Sequence, residues 1–217
     1  MQLNKKVNGT SWTSSREKEE GTEQKIIAAA RGIFQRKGMA GARMEEIAKA
    51  AGINKALLHY YFRSKEKLFE VIMSEAKMQM LSRLHPILGG DDSLFIKIEK
   101  FVESYISFVT ENPLLPGFIL HEITMNPEKI SEQLIKKGGR PNLSKFFQQV
   151  ESEIKKKNII AIQPEQLFMN MLSMCVFPFV GRPMLQTVLN VNDKKFNQLL
   201  ADRKKEIPKF IINAIKR

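Results

Sequence analysis

The chain has 217 residues, with 35 Lys and Arg against 23 Asp and Glu, for a formal net charge of +12. That length can bury a core without disulfide or metal staples. A hydrophobic content of 43% and a charged content of 27% belong to a folded soluble protein rather than a disordered one. No run approaches the roughly 18 apolar residues of a membrane span. The lone cysteine, Cys175, excludes an internal disulfide and a Cys-rich zinc site. Residues 1–20 are polar and charged with no apolar stretch, unlike a secretory signal, so a reducing cytoplasm is the expected compartment. The basic excess admits nucleic acid, an anionic membrane or an acidic partner.

Residues 1–21 lack an apolar period and are expected to form a flexible tail. From there the pattern is helix after helix, and an all-α fold is predicted. The first helix starts near Thr22 as N-cap and ends before Gly38, with Ile26, Ile27, Ala30, Ile33 and Phe34 on one face. A second, short helix spans about 44–51 and stops at Gly52. Asn54 caps a third, Lys55 to Phe62, with Leu58, Tyr61 and Phe62 facing inward at i, i+3, i+4. Ser64 caps a fourth, running to about Leu84 and ended by Pro86 and Gly89-Gly90. Longer helices are predicted at 92–110, 114–125, 127–136, 141–157, 164–180 and 192–216, with Pro178 and Pro208 expected to kink or interrupt the last two.

Residues 44–62 have the spacing of a helix-turn-helix, whose second helix enters a DNA major groove. Gly52 suits the left-handed turn, and Ala48 and Ala51 are small enough for a close crossing. Ten basic residues against three acidic ones between Gln24 and Lys67 give this stretch a net +7. Spacing alone also fits an ordinary helical hairpin in a core; the charge argues for DNA.

The run Gly41-Ala-Arg-Met-Glu-Glu-Ile-Ala-Lys-Ala-Ala-Gly-Ile-Asn-Lys-Ala-Leu-Leu-His-Tyr-Tyr-Phe-Arg-Ser-Lys-Glu-Lys-Leu-Phe69 resembles the DNA-binding signature of the tetracycline-repressor-like (TetR) family of bacterial regulators. The stretch from Ile26 to Gly38 resembles that family too, and Tyr60-Tyr61-Phe62-x-Ser64-Lys65-Glu66-x-Leu68 is the most diagnostic piece. The resemblance covers about residues 22–70. It implies an N-terminal three-helix DNA-binding domain and a larger helical ligand-binding and dimerisation domain over 71–217. It further implies that Lys55, Ala56 and Leu57 meet base edges, that His59 and Tyr60 contact bases or phosphates, and that Lys65 grips a phosphate. Leu57 stands where the family often has Thr or Ser, trading a hydroxyl contact for apolar contact with a thymine methyl. His59 replaces a frequent Tyr. Ala42-Arg43 replaces the usual capping hydroxyl and adds a cation at Arg43 for phosphate.

The C-terminal region holds most of the Phe and Met residues, which suit adaptable apolar pockets and plain cores alike. A small-molecule pocket is expected among Phe101, Tyr105, Phe108, Phe118, His121, Phe147, Met171 and Met174, with His121 as a candidate polar orienter. His85, before Pro86, reads as structural. Dimerisation is expected through the helices at 164–180 and 192–216, with Phe168, Leu172, Phe196, Leu199, Leu200, Ile207, Phe210 and Ile211 at the interface of a four-helix bundle.

These readings converge on a one-component regulator, a repressor that binds a pseudo-palindromic double-stranded operator as a homodimer and is released by a small apolar or amphipathic effector. A TetR-like activator, or a helical ligand-binding protein that has lost DNA recognition, remains the alternative. Three histidines, one cysteine and no Gly-rich phosphate loop offer no constellation for an enzyme, and no cofactor, metal or membrane partner is expected.

Overall fold

The computed structural model describes residues 11–125, 127–128 and 143–217. Among these, ten named helices form, and extended pairing is limited to an isolated antiparallel bridge between Ile159 and Lys216. The chain divides into two compact units, one ending at Ser74 and the other beginning at Glu75.

The first unit contains α1 (Ser11–Gly41), α2 (Met44–Ala50), α3 (Lys55–Tyr61) and the start of α4 (Lys65–Gly89). Ile26, Ile27, Ala30, Ile33 and Phe34 are all buried, as their shared face requires. Phe34 meets Phe69 of α4 edge-to-face, with ring centroids 5.1 Å apart. The helical path breaks at Gly38, whose φ of 66° and ψ of 175° suit a residue without Cβ. Upstream, α1 corrects the expected tail: helix begins at Ser11, not near Thr22. The run Arg16-Glu-Lys-Glu-Glu20 is built of good helix formers, and a polar helix escapes a search for apolar period. Residues 1–10 of that expected tail lie outside the described residues.

The second unit takes the rest of α4 together with α5 (Leu94–Glu111), α6 (Leu115–Met125), α7 (Ser144–Lys155), α8 (Pro164–Val180), α9 (Arg182–Leu189) and α10 (Asp193–Ile215). The amphipathic α5 lies at its centre, burying Leu94, Ile98, Phe101, Val102, Tyr105, Ile106, Phe108 and Val109, and it packs against α7, α8 and α10. Asn192 caps α10 by accepting the Lys195 N–H at 2.9 Å. The far end of α10 is tied down where Ile160 N–H donates to the Ile215 carbonyl at 2.8 Å.

One charged side chain is fully enclosed. Lys97, 1% exposed, donates its ammonium to the Leu88 carbonyl at 3.2 Å, supplying one of the donors that the last turn of α4 lacks. Burial and the nearby Lys145 pull its pKa below the usual lysine range, while Asp91 and Asp92 oppose them. Those aspartates pair with Lys145 at 2.6 Å and Lys100 at 2.7 Å, which holds the α4–α5 loop and starts α5 at Leu94 rather than residue 92.

Several boundaries differ from expectation. The fourth helix continues through Pro86 to Gly89. The expected helix at 127–136 falls mostly outside the described residues, as does the start of the one at 141. Helix α9 has no counterpart in the sequence reading, although Pro183 in its first turn is a helix-start signal. It leaves α8 at an 80° bend at Gly181. No single helix among the described residues is long and apolar enough to cross a membrane.

Neither Pro178 nor Pro208 interrupts its helix. Pro178 has no N–H, so the Met174 carbonyl four residues earlier loses its helical donor. Arg203 of α10 replaces it, its Nη2 donating to Met174 O at 2.7 Å. We expect Arg203→Leu to cost about 1–3 kcal/mol in urea unfolding, the price of an orphaned carbonyl. In a Pro178→Ala background, where residue 178 regains its N–H, the same substitution should cost clearly less. Equal losses in both backgrounds would reject the replacement role.

Candidate functional site

The loop between α2 and α3 is built by local chemistry. Ala51 ends α2 with helical dihedrals, and Gly52 turns the chain at φ 69°, where an L side chain is strained. Gly52 N–H donates to Lys49 O at 3.2 Å and Ile53 N–H to Ala48 O at 3.0 Å, so two orphan carbonyls of α2 are satisfied at once. Asn54 then opens α3, its Oδ1 accepting the Leu57 N–H at 2.8 Å. Leu58 is completely buried and Phe62 nearly so, which anchors α3 by its inner face. Tyr61, expected inward, is half-buried, and its ring stands edge-on to Tyr60 at 5.5 Å.

The other face of α3 is left open. Lys55, Ala56 and His59 are exposed, Leu57 is 36% exposed and Tyr60 76% exposed. These five are the residues that the sequence pattern assigned to DNA. Arg43 is exposed as well; it occupies the N-cap position of α2 without a side-chain cap, so only Glu45 and Glu46 favour that helix end. Glu46 accepts from Lys37 at 2.8 Å, and that hydrogen bond, aided by the charges of Lys37 and Arg43, lowers its carboxyl pKa. Lys65 is half-buried at the first turn of α4, its ammonium 3.4 Å from the Ala40 carbonyl, which fixes the amine beside the α1–α2 junction. Ser64 caps that turn by accepting the Lys67 N–H at 3.2 Å. The result is a capped helix N-terminus with a lysine, a tyrosine and small or apolar side chains facing outward. Such a surface can meet phosphates and base edges.

The second unit carries two adjoining, partly open clefts of about 350 and 290 Å³, the scale of a small-molecule site. They share Met80, Tyr105, Ile119, Ile123 and Leu172 as walls. Of the expected pocket residues, Phe101 and Tyr105 line this space. The other six do not. Phe108 is buried under the Arg83 guanidinium at 4.7 Å, and Met171 is fully buried. Phe147 stacks near Phe146, Met174 and Phe118 are half-buried, and His121 is exposed. The sequence reading missed Lys77, Met80 and His85 of α4, Ile119 and Ile123 of α6, and Val176 and Phe177 of α8. His85 lies one position off the i, i+4 series of Ile72, Ala76, Met80, Leu84 and Leu88, so that period gave no signal for it. Its Nε2 is buried without a hydrogen-bond partner.

The expected interface residues divide likewise. Phe196, Leu200, Ile207 and Ile211 are buried within the chain, because α10 spends that stripe on α5 and α8. Phe168 packs against the rings of Phe101 and Phe146, and Leu172 faces the cavities. Leu199 is half-buried, and Phe210 alone of the eight is largely exposed, at 63%. The exposed apolar side chains nearby are Met169 and Phe177 of α8 and Met184, Val188 and Leu189 of α9.

The model of the bacterial regulatory proteins, tetR family, matches residues 26–72. Residues 26–72 therefore carry a TetR-type DNA-binding domain. The transcriptional regulator YttP of Bacillus subtilis is 30% identical over 113 residues, 51% of this chain and 55% of that protein. The chain thus spans about half the length of the curated relatives it matches. A TetR/AcrR-family regulator from Thermobifida fusca shares the fold with a TM-score of 0.62 at 18% identity, covering 90% of this chain and 98% of that one. A TetR-family regulator from Mesorhizobium loti does so with a TM-score of 0.59 at 19% identity, covering 91% and 98%. The TetR-type fold thus extends beyond the reading head into the helical second unit.

The capping chemistry around α3 is testable by itself. Asn54→Ala should lower stability by about 1 kcal/mol in chemical denaturation, whereas Asn54→Asp, which keeps the accepting oxygen, should be close to neutral. An alanine variant as stable as the parent would remove the cap from the account.

Proposed function

We propose that this chain is a TetR-family, ligand-responsive transcriptional regulator, a repressor that binds a double-stranded operator as a homodimer in the cytoplasm and performs no catalysis. The observation that carries the reading is the outer face of α3. Lys55, Ala56, Leu57, His59 and Tyr60 stand exposed on a helix whose inner face and both ends are held by the rest of the unit. Arg43 and Lys65 flank it as phosphate contacts. Two such helices, one from each subunit, would occupy successive major grooves roughly 34–36 Å apart.

Dimerisation is supported by the apolar side chains left exposed on α8 and α9 and by Phe210 of α10. They support an interface on α8, α9 and the outer edge of α10, in preference to the stripe that α10 uses internally. The sensing role is supported by α4. Its first turn holds Lys65, while Lys77, Met80, Leu84 and His85 further along line the cavity. An effector that prefers one placement of α4 would bias DNA affinity by its differential binding to the two states.

Fluorescence anisotropy with the chain's own upstream DNA tests the reading. Affinity should fall steeply with salt, with a log–log slope of about −0.9 per phosphate neutralised. Lys55→Ala should weaken binding and reduce that slope by about one. A combined Lys55→Ala and Tyr60→Ala variant should lose specific binding while keeping the dimer and a melting temperature within about 2 °C, because neither side chain is buried. Equal affinity for operator and random duplexes would defeat the proposal.

A further inference from the structure

We propose that the clefts of the second unit take an uncharged, largely hydrocarbon molecule with one hydrogen-bond acceptor, which the Tyr105 hydroxyl holds; this rests on the ligand-responsive reading above. The walls decide against charge. Among the described residues, none bordering the larger cleft is Lys, Arg, His, Asp or Glu. The proton of its Ser173 hydroxyl is already engaged, donated to the Met169 carbonyl at 2.8 Å. Leu120, Ile123 and Phe177 line this cleft and are also exposed, so its open side is apolar as well. The smaller cleft is bordered by Lys77 and His85, but Lys77 is already engaged and the His85 Nε2 is sealed from solvent. An ion entering either space would give up water for hydrocarbon and meet no free counter-charge.

One polar group is left for a ligand. Tyr105 is 5% exposed, and it borders both clefts. Its ring lies against Phe101, with centroids 5.9 Å apart, and its hydroxyl makes no hydrogen bond among the described residues. Unlike the His85 Nε2, its oxygen is not closed off from solvent. A molecule that fills the clefts takes water away from that hydroxyl, and without an acceptor of its own it leaves the donor unpaired. Burial raises the phenol pKa well above its ordinary value, so the group stays a neutral donor. Such a donor is matched by a carbonyl, ester or ether oxygen, which brings no charge into an apolar site. A plain hydrocarbon of the same shape is disfavoured, because it strands the hydroxyl.

The test uses the full chain and the neutral dye N-phenyl-1-naphthylamine as reporter, with 2-decanone, decanoate and decylammonium as competitors of matched length. The dye should fluoresce on the wild-type protein and be displaced by 2-decanone. Decanoate and decylammonium should each compete at least about tenfold less well. In Tyr105→Phe, the affinity for 2-decanone relative to the dye should fall by about threefold or more, the value of one neutral hydrogen bond. The ligand-free melting temperature of that variant should stay within about 2 °C or rise, since the lost hydroxyl had no partner in the fold. Ile119 and Leu172 border both clefts, so Ile119→Trp or Leu172→Trp, where folded by melting temperature, should bind the dye about tenfold less well.

An ion competing as well as 2-decanone overturns the uncharged class and leaves the ligand-responsive reading standing. An unchanged ratio in Tyr105→Phe, or a larger fall in its melting temperature, overturns the hydroxyl as the ligand's donor and also leaves that reading standing. Undiminished dye binding in a folded Trp variant, or failure of the dye and all three competitors on the wild-type chain, overturns the clefts as a ligand site, and the ligand-responsive reading with it.

Discussion

A seven-residue helix cannot hold itself together. Nucleation fixes several residues for one hydrogen bond, and isolated helices shorter than about 12–15 residues are marginal in water. Helix α3 must therefore borrow its stability, yet most of its surface has to stay free. Chain chemistry resolves the conflict by concentrating the support at three points. Gly52 and the paired carbonyl contacts at Ala48 and Lys49 fix where α3 begins, Asn54 satisfies its first turn, and Leu58 with Phe62 fills the hole beneath it. Everything between those points is released for an outside partner. The +7 of this stretch then has a defined scaffold. Lys55 stands on that short element itself, so its charge acts with a fixed geometry.

The second unit meets a different constraint. A core at ordinary packing density has few voids larger than a water molecule, so clefts of about 350 and 290 Å³ that run in from the surface mark where these helices do not close on one another. Lys97 ties the end of α4 to α5, Arg203 bridges α10 to the carbonyl that Pro178 frees in α8, and the Lys145–Asp91 pair fastens α7 to the α4–α5 loop. Each bond links neighbouring elements at a polar point. Surface pairs of this kind contribute little stability individually. The enclosed Lys97 and the partly buried Arg203 are different, because removing either leaves a carbonyl without its donor.

How much of this the sequence revealed depends on the range of the forces involved. The reading head was legible because its determinants are local: a glycine at the turn, an asparagine two residues later, and apolar residues at i, i+3, i+4. Leu58 and Phe62 are buried, as that spacing predicted, while Tyr61, expected inward with them, is only half-buried. In the second unit the period said that a residue faces inward without saying toward what. Phe108 and Met171 satisfied the pattern for a pocket wall and are packed elsewhere, while α10 used its stripe on α5. His85 was misjudged for the same reason. Its neighbours in sequence are Leu84 and Pro86, and only the packing of the folded unit shields its ring nitrogen from solvent.

A signal can reach DNA only through a difference between states. A ligand that binds both states of a regulator equally shifts nothing, however tightly it binds. Hydrocarbon burial is non-directional and scales with area, so apolar contact with walls that keep their places gains nearly the same free energy in either state. Selectivity between states has to come from walls that move, and α4, the helix whose first turn carries Lys65, supplies Met80, Leu81 and Leu84 to the cleft.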